Sequence, residues 1–234
     1  AADDTDLVAV STTHDALAAV STAALQAGKH VLCEKPLGRT AEEVAGTVAA
    51  ARAAGCVFRA GYNHRFHPAV AGAHRAVAAG RLGELIFLRG RYGHGGRPGY
   101  DREWRADPGV SGGGELLDQG AHLVDLVLWF FGAEVDVFSA TTLTAFWDTP
   151  VEDNAFAFLR AAGGQVASLH VSWTQWRNLF SLEVFGRDGY AVAEGLGGSY
   201  GAERLAIGRR RPEGGGPDEE VTTFDAADRS WALE

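Results

Sequence analysis

Lysine is scarce in this chain, accounting for only two of its 21 basic residues, Lys29 and Lys35. Lys35 stands between Glu34 and Pro36, at the end of the mainly apolar run His30-Val31-Leu32-Cys33. An ammonium so placed can hydrogen-bond a reacting oxygen and stabilise charge that develops on it. The bland alternative is a solvated Glu-Lys pair, which contributes little. Lysine kept at a strand end, in a composition that otherwise uses arginine, favours the chemical reading. A second set of candidates lies in Gly112-Gly113-Gly114-Glu115-Leu116-Leu117-Asp118-Gln119-Gly120-Ala121-His122-Leu123-Val124-Asp125. Asp118 and His122 are four apart, so on a helix they share one face near its start. A histidine titrates near neutrality and can pass a proton. The nearby carboxylate can orient it or bias its charge. The triple glycine would let the backbone approach a ligand closely. A metal held by Asp118, His122 and His94 is the competing chemistry. No spacing fixes a third ligand, and we assign no metal.

Certain elements must position these groups. A short apolar run that ends in Pro reads as a strand buried on both faces, as in parallel sheets, with Lys35 at its carboxyl end. In open α/β sheets that edge is where ligands bind. Around it the pattern is strand, helix, strand, helix, strand. Leu7 to Val10 is a buried strand, and His14 to Ala27 a helix stopped by Gly28. Thr40-Ala41-Glu42-Glu43 caps a helix that runs to Ala54 and stops at Gly55. Cys56 to Ala60 is the third strand. These are two βα units of a doubly wound sheet.

After residue 62 the pattern changes. His67 to Ala79 reads as a helix and Leu85 to Arg91 as a strand. A Gly-, Arg- and aromatic-rich loop follows from Tyr92 to Gly114, then an amphipathic helix from Leu116 to Phe131. Strands then succeed one another near 135–145, 153–160, 165–174, 179–186, 189–194, 203–210 and 220–224. Ala167, Leu169, Val171 and Trp173 alternate with Ser168, His170 and Ser172, the habit of an antiparallel sheet with one buried face. The expected fold class is α/β plus α+β. The C-terminal part of a Rossmann-type doubly wound parallel sheet, residues 1–62, precedes an α+β domain with a large open, mainly antiparallel sheet, residues 63–234.

Composition narrows the function classes. Net charge is −9, which makes nucleic acid an unsuitable partner. No apolar run approaches a membrane span, since Asp125 interrupts the longest one, Leu123 to Phe131. Cys33 and Cys56 each sit in apolar runs, which suits reduced, buried thiols in a cytoplasmic setting. The chain contains no methionine and starts at Ala1 just before a strand, so we expect a chain cut at both ends.

Together these residues resemble the Gfo/Idh/MocA oxidoreductases, a family that includes glucose-fructose oxidoreductase and inositol dehydrogenases. The resemblance is carried by Glu34-Lys35-Pro36 at a strand end and by Asp-x-Gly-x-His-x-x-Asp from Asp118 to Asp125. It is extended by Val10-Ser11-Thr12-Thr13-His14, by Gly61-Tyr62-Asn63-His64-Arg65-Phe66-His67-Pro68 and by Glu103-Trp104-Arg105. It implies an enzyme that moves a hydride between NAD or NADP and a carbinol carbon of a sugar or polyol, with Lys35, Asp118 and His122 as catalytic residues. It further implies that Ser11, Thr12, His14, Glu34, Lys35, Pro36, Asn63, Arg65, Trp104 and Arg105 meet the cofactor, and that the Lys35-Pro36 bond is cis. Substrate contacts are expected from Lys35, His94, Arg97, Tyr100, Asp118 and His122. The arginines of that loop would suit anionic substrates such as sugar phosphates or nucleotide sugars. A homo-oligomer through the open sheet is expected. The family's Gly-x-Gly-x-x-Gly fingerprint should precede residue 1, along with the residue that selects NAD or NADP. Thr13 stands where many members have Pro, and Leu17 where a His is usual. The rival readings are a non-catalytic assembly module of this fold and a metal-dependent lyase or hydrolase.

Overall fold

The computed structural model describes residues 4–225 and 227–234. Three parallel strands, β1 (Leu7–Val10), β2 (His30–Glu34) and β3 (Phe58–Gly61), form one sheet in that order, linked by helices α1 (His14–Gln26) and α2 (Ala41–Ala54). The local signals work as elementary chemistry dictates. The Thr40 hydroxyl accepts from the Glu43 amide at 3.2 Å, and Gly55 closes α2 in the left-handed conformation at φ 64°. Both helices pack on the same face. Val8, Val10, Val31 and Cys33 meet Leu17, Leu25 and Ala51 there.

The expectations that β1 is buried and that β2 is buried on both faces are corrected. Leu7 is 57% exposed and Leu32 is half-buried, because right-handed crossovers place both helices on one side of the sheet. The third strand starts at Phe58, and Cys56 lies half-buried in the turn before it, so only Cys33 is a buried thiol.

After a 3-10 turn at Asn63–Phe66, α3 (Pro68–Ala78) leads into β4 (Leu85–Gly93). Short turns then precede α4 (Pro108–Ser111), α5 (Glu115–Asp118) and α6 (Gly120–Phe131). Seven strands follow: β5 (Val135–Leu143), β6 (Asn154–Ala161), β7 (Val166–Ser172), β8 (Leu179–Gly186), β9 (Gly189–Glu194), β10 (Arg204–Arg209) and β11 (Asp218–Thr223). The last helical turn, α7, is Ser230–Leu233. The second sheet has eight strands in the order β11-β10-β9-β8-β4-β7-β6-β5, antiparallel except for the β4–β7 pair. Helices α3 and α6 cover one face. Val70, Leu123, Leu126 and Val127 are fully buried against Leu88, Leu182 and Val184. Each such side chain contributes roughly 1.5–3 kcal/mol. The opposite face keeps Ile86, Val137, Phe138, Phe156 and Phe158 exposed.

One local expectation changes, and one stretch finds neighbours within the protein. The single helix from Leu116 is broken at Gln119, where the His122 amide bonds the Gln119 carbonyl at 3.1 Å instead of the carbonyl four residues back. At two of the three glycines the close approach is made to protein. A side chain at Gly112 would strike Arg39, and one at Gly114 would strike the Glu152 backbone. The Glu152 carboxylate accepts from the Gly114 and Leu116 amides at 3.0 and 3.1 Å, anchoring the start of α5.

Candidate active site

The carboxyl ends of β1, β2 and β3 open onto a cleft of about 770 Å³, whose far wall belongs to the second sheet and its loops. That is an ordinary size for a small-molecule site. Lys35 projects from the end of β2, and its Nζ donates to Asp118 Oδ1 at 2.5 Å and to the Asp118 carbonyl at 2.7 Å. The other carboxylate oxygen, Oδ2, accepts from Arg105 Nε at 3.0 Å. Burial pushes the Asp118 carboxyl up, but the two cations outweigh it and hold it at about 2. One carboxylate thus serves two cations, and the cluster keeps a net positive charge.

His122, one turn further on, is 5% exposed and its Nδ1 has no partner. Desolvation, then the charge of Lys35, drives the imidazole well below its usual range, so it is a neutral base at pH 7. Its ring stacks on that of His64 at 3.7 Å. At the β1 end of the cleft, His14 Nδ1 donates to the Ser111 carbonyl at 2.8 Å, and its ring meets the Trp104 ring edge-on at 4.8 Å. Glu34 is pushed up to about 7 by burial, reinforced by the nearby Glu234 carboxylate.

Nearly every residue expected at the site lines this cleft: Ser11, Thr12, His14, Glu34, Lys35, Asn63, His94, Arg97, Tyr100, Trp104, Arg105, Asp118 and His122. Two do not. Arg65 turns away and grips Asp125 at 2.5 and 2.8 Å, lying over Trp129 on the outside of α6. Pro36 makes the turn behind the wall, with the Lys35-Pro36 bond cis. Arg97 is drawn into an ion pair with Glu103 at 2.8 Å, and His94 Nδ1 accepts from the Gly96 amide at 2.9 Å. Tyr100 is held against Trp173 and Trp147, an aromatic base under the loop.

Sequence reasoning missed His64, His67, Tyr92, Gln119, Tyr200 and Asp228, which also line the cleft. It also missed Glu115. That residue is fully buried with neither carboxyl oxygen hydrogen-bonded, and burial followed by the Asp118 charge pushes it far above the usual carboxylate range. The missed signal was available in part, since His64 and His67 sit in the crossover motif already singled out. Among the described residues, no group of three or more His, Cys, Asp or Glu side chains gathers in a metal-binding arrangement.

A half-sheet of parallel strands whose carboxyl ends face an open, mainly antiparallel sheet across a lysine-histidine cleft defines a class by architecture, a Rossmann-type half joined to an α+β half. Comparison with known proteins makes this specific. Residues 1–62 match the oxidoreductase family domain described as an NAD-binding Rossmann fold, and residues 70–192 match the GFO/IDH/MocA C-terminal domain. The chain belongs to the Gfo/Idh/MocA oxidoreductase family. It is 34% identical over 198 residues to 1,5-anhydro-D-fructose reductase of Ensifer adhaerens, a match that covers 82% of this chain and 58% of that protein. It is 28% identical over 219 residues to levoglucosan dehydrogenase of Pseudarthrobacter phenanthrenivorans, covering 81% and 56%. The chain therefore spans little more than half the length of these relatives. A solved levoglucosan dehydrogenase in complex with NADH superposes with a TM-score of 0.81 at 24% identity, over 94% of this chain and 61% of that one, and speaks for the fold.

Proposed function

We propose that the protein is an NAD(P)-dependent oxidoreductase that interconverts a hydroxyl and a keto group on a sugar, a polyol or a related compound. The observation that supports it most is the meeting of Lys35, from the nucleotide-binding half, with Asp118 and His122, from the other half, in one cleft. The cleft fits the nicotinamide-ribose end of such a cofactor. Hydroxyls of Ser11 and Thr12, the Asn63 amide, the Glu34 carboxyl and the indole of Trp104 line one wall. When bound, the nicotinamide supplies or accepts the hydride. His122, neutral and buried, takes the hydroxyl proton as the carbinol is oxidised, or returns it in reduction. Lys35 donates a hydrogen bond to the same oxygen while negative charge develops on it. Asp118 holds Lys35 and Arg105 in place without cancelling both charges.

The distal part of the cleft, with His94, Arg97, Tyr100, Gln119 and Tyr200, receives the rest of the substrate. Arg97 there is matched by Glu103, and Arg105 shares Asp118 with Lys35, so the one charge left over serves the reacting oxygen. That favours neutral hydroxyl-bearing substrates over the phosphorylated ones that the arginine content first suggested. The names of the relatives, a reductase of anhydrofructose and a dehydrogenase of levoglucosan, point the same way. The exposed aromatic face of the second sheet suits a homo-oligomer. Free Cys33 and Cys56 suit a reducing, cytoplasmic setting. Among the described residues no helix is long and apolar enough to cross a membrane.

The test uses the protein expressed from its complete reading frame. Nicotinamide absorbance is followed with NAD and NADP against a panel of neutral sugars and polyols and their phosphates. Turnover of a neutral sugar that disappears in Lys35→Ala and His122→Asn, at unchanged melting temperature, supports the proposal. Full turnover in either variant refutes the assigned roles.

A further inference from the structure

His122 does not stand alone. Its ring lies on the His64 ring with centroids 3.7 Å apart and planes 24° from parallel. His64 itself meets His67 edge-on at 5.5 Å, Tyr92 at 5.0 Å and Phe180 at 5.7 Å. The row is tied at both ends. His64 Nδ1–H donates to Asn63 Oδ1 at 3.0 Å, and Asn63 Nδ2 donates to Ser230 Oγ at 2.9 Å. His67 Nδ1 is bonded to Glu203 Oε1 at 2.7 Å, while the other oxygen of that fully buried carboxylate accepts from the Ala69 amide at 3.0 Å. The sequence supplies this from one short crossover, Asn63-His64-Arg65-Phe66-His67, wound as a 3-10 turn so that both imidazoles reach the same side.

We propose that His64 is a positioning residue for His122: its buried ring, laid face to face on the base, keeps water from that side and fixes the plane of the imidazole toward the cleft. The functional meaning of this role rests on reading His122 as the proton acceptor. Geometry excludes the obvious alternative, a proton relay. Stacked rings present no N–H···N line to each other. The Nδ1 proton of His64 is already committed to Asn63, and His64 Nε2 and His122 Nδ1 are both buried without a partner. An imidazole that takes up a proton here finds no carboxylate on Nδ1 to share the charge. It therefore stays neutral until substrate offers its hydroxyl and then returns the proton readily. Burial is the largest cause that lowers both rings, so removal of the covering ring is the lever that should move the base.

Other groups face His122, and the test must leave them in place. Lys35 comes from the end of β2, Asp118 from α5, Tyr62 and His67 from the crossover, and Tyr92 from β4. Asp125, one turn along α6, is engaged by Arg65. None of these bonds to the His64 ring, whose hydrogen bond goes to Asn63.

The experiment titrates the His122 imidazole by proton NMR in the full chain, its resonance assigned by loss in His122→Asn. Wild type, His64→Ala and His64→Phe are compared, and circular dichroism confirms that each variant folds. The phenylalanine ring retains the cover and discards both nitrogens. Proton affinity of His122 at least tenfold higher in His64→Ala, with the wild-type value kept in His64→Phe, supports the proposal. An unmoved midpoint in His64→Ala overturns it, because the covering ring would then set nothing. A midpoint that moves as far in His64→Phe as in His64→Ala overturns it as well, because the nitrogens would then matter more than the ring. If either variant fails to fold, His64→Leu and His64→Ser replace them as the covering and uncovering pair, with the same criteria. The measurement is independent of turnover. A midpoint that shifts as expected across the His64 variants, in an enzyme that stays fully active as His122→Asn, would sink the catalytic reading and leave the positioning result standing.

Discussion

Asp118 and Asp125 belong to the same short motif, are both buried, and each meets a cation at 2.5 Å, yet their chemistry diverges. Asp118 has two cationic partners, Lys35 and Arg105, and is held at about 2. Asp125 has one, the part-exposed Arg65. Its burial outweighs that single ion pair, so its carboxyl titrates above the usual range. The difference separates a site from a strut. Two cations on one buried carboxylate leave a surplus positive charge facing a cleft, where an oxygen that gains negative charge can use it. One cation on one carboxylate, with the guanidinium against solvent and over Trp129, fastens the crossover to α6 and leaves nothing over. Proximity of opposite charges says little by itself, and the charge count around each carboxylate decides its role.

The first way to break this contrast is to remove each cation in turn. Lys35→Ala, in the protein from its complete reading frame, should lower turnover by roughly 10²–10³-fold, the scale of removing one preorganised donor to a developing oxyanion. Its melting temperature should change little, because Arg105 still compensates Asp118. Arg65→Ala should show the reverse. It leaves Asp125 buried with no cation, which we expect to cost about 2 kcal/mol of stability by denaturant melts, less than a fully buried pair because Arg65 reaches solvent. Turnover and the KM for the nicotinamide should stay within about twofold of wild type, a change under RT ln 2 and thus below any lost contact. A tenfold rise in that KM would restore the cofactor role first expected of Arg65.

Acid unfolding gives the two aspartates opposite signs. Asp118 titrates lower in the folded than in the unfolded chain, so its contribution is present above pH ~4 and is lost as pH falls through about 2. It is worth about 2 kcal/mol by linkage. Asp125 titrates higher when folded, so its contribution is greatest in acid and fades as pH rises past ~4. Stability curves of Asp118→Asn should therefore be flatter than wild type below pH ~4, and those of Asp125→Asn should not. Equal flattening would mean that both carboxylates play the same part.

Much of this was legible in the chain, and for identifiable reasons. Thr40 and Gly55 bracket a helix because a hydroxyl cap and a left-handed glycine are local devices. The alternation through Ala167, Leu169 and Val171 marks a strand because its period is two and one face is buried. Lys35, Asp118 and His122 stood out because residue type and spacing carry their chemistry. What stayed hidden depends on distant pairing. The parallel β4–β7 contact joins strands that have α4, α5, α6, β5 and β6 between them in the chain. The break at Gln119 answers the packing of Gly120 against Leu116 and Val171. Arg65 looked like a ligand-binding residue because its motif is, while its side chain follows Asp125, a partner 60 residues away. Glu203 gave no signal, since nothing in its own neighbourhood announces a histidine 136 residues earlier.

The smallest effect sharpens the contrast from a third carboxylate. Glu34 lies beside Lys35 in sequence, yet Lys35 spends its hydrogen bonds on Asp118 and leaves Glu34 facing Glu234. Burial and that second carboxylate raise Glu34 to about 7, so the folded chain holds a proton that the unfolded chain releases near pH ~4.5. The sign follows directly. Glu34 favours the folded state below pH ~4.5, and that advantage is lost as pH rises through about 7. Glu34→Gln fixes the protonated form, so its stability relative to wild type should be unchanged at pH 4 and higher at pH 8. The gain should be on the order of 1 kcal/mol once solvent screening at the cleft mouth is discounted. Thermal melts of the two proteins across that range test it. A Glu34→Gln variant that is less stable than wild type at pH 8 would show that Lys35 attends to Glu34 after all, and the surplus positive charge assigned to the Asp118 cluster would have to be shared.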